Sequence, residues 1–155
     1  MMPFPEASAW RLRAATSADR DAVLAMLRGV NLPTEGVEDH FPAGYRVAEA
    51  GGRVIGMGGL ERYGEYGLLR SLAVDSKWRG RGIGKALTSG LVERARADGL
   101  KAVYLLTGTA EAYLSRLGFD KVERDDAPEG IRASKEFAGI CPASAVCMRR
   151  ALSAP

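Results

Sequence analysis

Histidine and cysteine are almost absent: the 155 residues contain one His, His40, and two Cys, Cys141 and Cys147. A structural zinc site usually draws on four such ligands, so no metal is expected, and two thiols do not make a disulfide-stapled scaffold. Long apolar runs are missing as well. The longest stretch without a charge, Phe137 to Met148, is interrupted by Pro142 and falls far short of a membrane span. Met1-Met2-Pro3-Phe4-Pro5-Glu6 has no basic segment leading into an apolar one, so no signal peptide is expected and the cytoplasm is the expected compartment. Charge of one sign is scarce too. The 22 Lys and Arg exceed the 19 Asp and Glu by +3, too little to argue for nucleic acid but enough for a modest anionic ligand. Repeats, low-complexity tracts and long linkers are lacking. A single domain over residues 1–155 is expected, with residues 1–9 as a flexible extension. A chain of this length buries roughly two-thirds of its unfolded surface and needs no staple.

Glycine is what the chain has in excess, 19 of 155 residues, or about 12% against a typical 7%. Its positions punctuate the elements. Trp10 to Ala14 alternates with the strand period, and Thr16, Ser17 and Asp19 precede the apolar pattern Val23, Leu24, Leu27, which predicts a helix from about Ala18 to Arg28. Asn31 to Gly44 reads as a loop with one short helical turn. Strands are expected near Tyr45–Ala50, Arg53–Arg62 and Tyr66–Val74, joined by turns at Gly51-Gly52 and Tyr63-Gly64-Glu65. A helix with Ile83, Leu87, Leu91 and Ala95 on one face should stop at Gly99. Beyond it are expected a strand at Ala102–Leu106, a helix at Glu111–Leu117, a strand at Phe119–Glu123, a helix at Glu129–Phe137 and a strand near Ala143–Arg150. The order describes an α/β (α+β) sandwich around one sheet of mixed strand directions.

Between the third of those central strands and the Ile83 helix lies Arg79-Gly80-Arg81-Gly82-Ile83-Gly84-Lys85. Three alternate positions without Cβ let a ligand approach the backbone, and consecutive amides at a helix N-terminus make an anion site. Arg79, Arg81 and Lys85 add positive charge around it, and a pyrophosphate is the natural guest. A Walker loop is excluded: it needs a glycine where Arg79 stands and Ser or Thr where Ala86 stands. The dinucleotide fingerprint fails because the spacing is Gly-x-Gly-x-Gly and four strands come first. The bland alternative is a flexible turn with solvated basic side chains.

Leu72-Ala73-Val74-Asp75, Trp78 to Gly84, and the downstream Leu117-Gly118-Phe119 resemble the GNAT superfamily of N-acetyltransferases, over nearly the whole chain in element order. The resemblance implies a mixed, mostly antiparallel central sheet flanked by helices, with strands 4 and 5 splayed. It implies acetyl-CoA as substrate, its pyrophosphate on the turn and its pantetheine arm against Leu72, Ala73 and Val74, with Thr107 where the family commonly has asparagine. Acyl transfer to an amine needs an oriented thioester and a stabilised oxyanion, terms a backbone can supply, so the lack of a Ser-His-Asp or Cys-His set is consistent with it.

Acid and base are less directly legible. The tyrosine that the family commonly places four residues before the glycine of Gly-Phe is Leu114 here, and Tyr113 beside it is the candidate acid, with core packing as its other reading. Glu61 is the first candidate base, with Glu65, Glu38 and Asp39 behind it and a surface role open for each. Arg70 either clamps a substrate carboxylate bidentately or pairs with a neighbour such as Glu61. His40 reads as polar surface. Cys141 and Cys147 read as small buried side chains or as a thiol pair for a soft element. Tyr66 to Val74, Tyr104 to Thr107 and Cys141 to Met148 are similar to the acetyltransferases of arsenic-resistance operons, and Leu-Arg-Ser-Leu-Ala-Val to amino-acid N-acetyltransferases such as N-acetylglutamate synthase. The expected partner is a small amine acceptor, amino-acid-like and carrying a carboxylate, with no nucleic acid and no membrane, and the protein a monomer or homodimer. The other functional reading is a non-catalytic acyl-CoA-binding sensor with the same fold.

Overall fold

The computed structural model describes residues 9–141 and 143–153. The extension expected over residues 1–9 therefore lies, Ala9 apart, outside the described residues. The elements are β1 (Arg11–Ala14), α1 (Arg20–Gly29), β2 (Tyr45–Ala50), β3 (Arg53–Tyr63), β4 (Tyr66–Val74), α2 (Ile83–Ala97), β5 (Ala102–Thr107), α3 (Glu111–Arg116), β6 (Asp120–Lys121), α4 (Glu129–Arg132) and β7 (Val146–Ala151). The strands form one mixed sheet in the order β1-β2-β3-β4-β5-β7-β6, with β4 and β5 parallel. Their parallel ladder joins Tyr66 to Ala102, Gly67 to Val103 and Leu68 to Tyr104. Among the described residues that ladder ends at Leu68, while β4 itself runs on to Val74.

The chain divides into two compact units, residues 1–59 with 71–88 and residues 60–70 with 89–155. In the first, strand alternation feeds two apolar clusters. Tyr45, Val47 and Met57 pack with Val23, Leu24 and Leu27 of α1, while Ala48 and Ile55 pack with Ile83 and Leu87 of α2. Ile55 and Met57 would share a face in a regular strand. The register jumps from Ala48 opposite Gly56 to Glu49 opposite Val54, leaving Ile55 as a bulge residue and reversing the alternation. Gly56 then lets α2 approach: a Cβ there would stand 3.1 Å from Ile83 and 3.3 Å from Leu87.

In the second unit β5 is covered on both faces, which is why Ala102 to Leu105 is a continuous apolar run. Val103 and Leu105 join Leu91, Val92 and Ala95 of α2 and Leu114 of α3; Ala102 and Tyr104 join Ala127, Ile131 and Phe137. Each fully buried Leu or Phe contributes about 1.5–3 kcal/mol. Gly99 at φ +80° ends α2, as its place in the sequence predicts.

Local chemistry redraws several boundaries. Asp19 accepts the Thr16 N–H, and a 3₁₀ turn at Ser17–Asp19 precedes α1. The strand expected over Phe119–Glu123 narrows to Asp120–Lys121, because Phe119 is withdrawn into the core. The helix expected over Glu129–Phe137 breaks after Arg132. The Ser134 hydroxyl donates to the Ile131 carbonyl at 2.6 Å, competing with the helical ladder, and a wider π turn follows at Glu136–Ile140. The final strand begins only at Val146.

Candidate active site

The first unit carries the glycine-rich turn. Asp75 accepts the Lys77 N–H at 2.9 Å and starts a 3₁₀ turn, Ser76–Trp78, that carries the chain from β4 to the glycines. Gly80 and Gly82 take φ of +78° and +81°, the left-handed region that favours glycine. A Cβ at either would meet nothing within 4 Å, so these glycines are required by their dihedrals and not by crowding. Gly84 lies inside the first turn of α2. Ala86 donates to the Gly82 carbonyl at 3.0 Å and opens the helical ladder. Among the described residues, no bond runs from the amides of Gly80 to Lys85 to a protein acceptor. Such orphan donors at the positive end of a fifteen-residue helix suit an anion.

Two of the cations around the turn make contacts of their own. The Arg81 guanidinium lies 4.6 Å from the centre of the Trp78 ring, and Arg79 Nε donates to the Val74 carbonyl at 3.4 Å. Lys85 is exposed, and Ile83 is buried in the core beneath the turn. Just before, β4 is distorted at Ser71, whose φ is +60° although it is not glycine. The Tyr45 hydroxyl lies 3.3 Å from the Ser71 hydroxyl, and the Tyr45 ring covers Gly59, where a Cβ would stand only 2.5 Å away. Leu72, Ala73 and Val74 continue the strand from this distortion.

The second unit holds a buried polar cluster. Arg70, with a side chain 0% exposed, bonds Glu61 through Nη1 at 3.2 Å and Glu136 through Nε at 3.4 Å. Tyr63 donates its hydroxyl to Glu61 at 2.6 Å. Burial raises the Glu136 carboxyl to about 7 against the opposing pull of Arg70, with Glu61 raising it further. The Cys141 thiol hydrogen-bonds Glu136 and is itself raised to about 11, chiefly by burial. Of the two roles open to Arg70, pairing with Glu61 is what is seen, and Glu136 is a partner the sequence did not suggest.

The remaining candidates divide as follows. Thr107, at the end of β5, accepts the Ala110 N–H at 3.0 Å and so starts α3. Leu114 is 4% exposed in the core, and Tyr113 packs partly against the same cluster, its phenol pKa raised chiefly by burial. Glu38 pairs with Arg20, and Glu65 with Lys101, both at the surface. His40 is half-buried, its carbonyl accepting from Gly44, and Asp39 is exposed. Cys141 and Cys147 are free thiols. Among the described residues, no three His, Cys, Asp or Glu side chains could hold a metal, and no helix is long and apolar enough to cross a membrane.

A β4 distorted at Ser71 leads into an open glycine turn at a helix N-terminus, in a mixed α/β fold. The model of the Acetyltransferase (GNAT) family matches residues 10–119, and the chain belongs to that family. It is 37% identical over 73 residues, 46% of its length, to an "Amino-acid acetyltransferase" of Mycobacterium tuberculosis, of which the match covers 41%. It is 31% identical over 113 residues to an uncharacterised N-acetyltransferase of Chlorobaculum tepidum, covering 70% of this chain and 66% of that one. Among solved structures, N-acetylglutamate synthase from Neisseria gonorrhoeae, complexed with coenzyme A and N-acetyl-glutamate, superposes with a TM-score of 0.80 at 21% identity. That match covers 94% of this chain and 35% of the synthase, a likeness of fold. The chain thus spans less than half the length of the amino-acid acetyltransferase it matches.

Proposed function

We propose that the protein is an acetyl-CoA-dependent N-acetyltransferase whose acceptor is a small molecule bearing both an amine and a carboxylate, as an amino acid does. The observation that carries this reading is the row of unpartnered amides from Gly80 to Lys85. A diphosphate offers the oxygens those donors need, and Arg79, Arg81 and Lys85 balance its charge. Leu72, Ala73 and Val74 would receive the pantetheine arm; in the other unit the Thr107 hydroxyl, whose oxygen accepts from Ala110, still has a proton to donate.

The acceptor's amine attacks as the neutral form, and the leaving thiolate takes a proton. Tyr113 is the candidate acid: its phenol is protonated at neutral pH, although burial, by raising its pKa, makes it a weaker donor than a free phenol. Such a donor contributes about 10²–10⁴-fold. Glu61, buried and bonded to both Tyr63 and Arg70, is better suited to hold Arg70 than to collect protons from solvent. The names of the relatives support an amino-acid acceptor. Similarity of Tyr66 to Val74 and Cys141 to Met148 to arsenic-resistance acetyltransferases supports a finer reading, a role in arsenic resistance. The proposed compartment is the cytoplasm.

The test is direct. The purified chain, acetyl-CoA and a panel of amines are incubated while free thiol is read, and coenzyme A is added in a melting experiment. Thiol release with an amino acid is expected, together with a raised Tm; neither signal with any amine would end the proposal. The burial of Leu114 where the family commonly has tyrosine favours one other reading, a sensor that binds acyl-CoA without turnover. Coenzyme binding with no thiol release on any acceptor is its signature.

A further inference from the structure

The cluster around Arg70 contains two carboxylates for one guanidinium, so it buries an excess negative charge unless one carboxyl keeps a proton. The two acids are held differently. Glu61 lies on β3, bonded by Tyr63 at 2.6 Å and by Arg70 at 3.2 Å. Glu136 makes the longer 3.4 Å contact and sits on the turn Glu136–Ile140, which is kinked at Gly139. The same turn adjoins a cleft of about 420 Å³ lined by Arg124, Phe137, Gly139 and Cys141. Cys141 joins the two, lining the cleft and bonding Glu136. Of the two partners of Arg70, Glu136 makes the longer contact and is the one next to the cleft.

We propose that Glu136 is an internal stand-in for the acceptor's carboxylate: it occupies Arg70 until an acceptor arrives, and the acceptor's carboxylate then takes its place. It is a specificity-determining residue, resting on the acetyltransfer reading above. The exchange balances with one proton. Ionised Glu136 leaves the guanidinium and takes a proton from solvent, and the incoming carboxylate forms the new ion pair. The groups facing Glu136 favour this. Arg70 keeps two carboxylate partners, Glu61 and the incoming one, while the displaced Glu136 is neutral, the Cys141 thiol is neutral, and Arg124 at the cleft attracts an anion. A carboxyl raised to about 7 accepts the proton readily near neutrality. A neutral amine brings Arg70 no new ion pair in exchange for the one lost with Glu136 and is disfavoured.

The experiment is calorimetric titration of the full chain, with coenzyme A present, by N-acetyl-L-glutamate, N-acetyl-L-glutamine and glutarate. It is run at pH 6 and pH 8 in two buffers of different ionisation enthalpy, on the wild type and on Glu136→Gln. The wild type should take up about one proton per carboxylate bound at pH 8 and little at pH 6, with affinity falling by about tenfold per pH unit above 7. Glu136→Gln should take up none and bind about tenfold more tightly at pH 8. Equal affinities in the two forms, or no proton uptake by the wild type, would overturn the exchange. So would failure of every carboxylate to bind either form; thiol release with amines lacking a carboxylate would then still support acetyl transfer. Proton-linked carboxylate binding without any coenzyme A binding would keep the exchange and sink the acetyltransferase reading. Should Glu136→Gln not fold, the infrared carboxyl band of the wild type decides. It should fade at pH 8 and return when carboxylate is added, and a band indifferent to ligand rejects the proposal.

Discussion

The glycine turn and the Arg70 cluster handle charge in opposite ways. The turn leaves backbone donors open and keeps its cations at the surface, so the anion it suits must come from outside. The cluster is enclosed: Arg70, Glu61 and Glu136 bond one another out of water, with side chains 0%, 3% and 6% exposed. A backbone site tolerates side-chain change but is sensitive to backbone geometry and to a misplaced negative charge. A side-chain cluster fails when one member is removed, because the remaining charges stay buried. The difference predicts that substitutions in the turn act on ligand affinity and substitutions in the cluster on stability.

The largest effect is expected from Arg70→Met. It strands two carboxylates, and breaking a buried pair from one side costs about 3–5 kcal/mol. Urea unfolding should show that loss, and adding Glu61→Gln should recover part of it. A loss under about 1 kcal/mol would mean that the two carboxylates do not depend on Arg70. Next comes the pH dependence. Glu136 keeps its proton up to about 7 in the fold against 4.5 for the free side chain. Between those values the native state binds more protons than the unfolded one, so stability falls as pH rises through the window and is level above it. The total is on the order of 3 kcal/mol. Glu136→Gln should flatten that slope and leave the acid limb, where Asp19, held down to about 2 by Arg13, loses its contribution as pH falls below about 4. An unchanged neutral slope in Glu136→Gln would assign the proton elsewhere.

The two regions also differ in how far the sequence revealed them. Gly80 and Gly82 announce their own backbone, because glycine alternating before a helical pattern has few other uses, and the positive φ values follow. β2 and β4 were legible from period and punctuation to the residue. Arg70 in an apolar strand demanded a counter-ion, and the tight turn between β3 and β4 brought Glu61 into consideration. Glu136 carried no such signal. It lies in a stretch whose spacing reads as an amphipathic helix, where a glutamate is expected on the wet face. Only the break caused by Ser134 and the long-range approach to Arg70 bury it. The left-handed Ser71 was equally hidden, since serine has no local preference for that region and its contact with Tyr45 is long-range.

In the turn the larger effect belongs to Gly82→Asp. The position has room for a side chain, so steric overlap is not the cause. Strain at φ +81° costs roughly 1–2 kcal/mol in stability, and a carboxylate placed among the amides repels the diphosphate. Coenzyme A affinity should fall by about 100-fold, close to 3 kcal/mol. Gly82→Ala separates the two causes: it keeps the strain, adds no charge and should lose far less affinity. Equal losses would place the effect in the backbone strain alone.

The smallest effect, and the one that most sharpens the contrast, is Arg81→Ala. If the diphosphate is held by main-chain donors, an exposed cation beside them contributes a screened attraction of about 1 kcal/mol or less. Affinity should then fall only several-fold, and more at low salt than at high. Trp78 matters here because it fixes the guanidinium at 4.6 Å and limits the entropy lost when Arg81 meets an anion. Trp78→Ala should therefore reproduce part of the Arg81→Ala loss, and the double variant should lose less than the sum of the two. A loss from Arg81→Ala as large as that from Gly82→Asp would show that side chains, not the backbone, hold the anion. The turn would then belong with the cluster instead of opposite it.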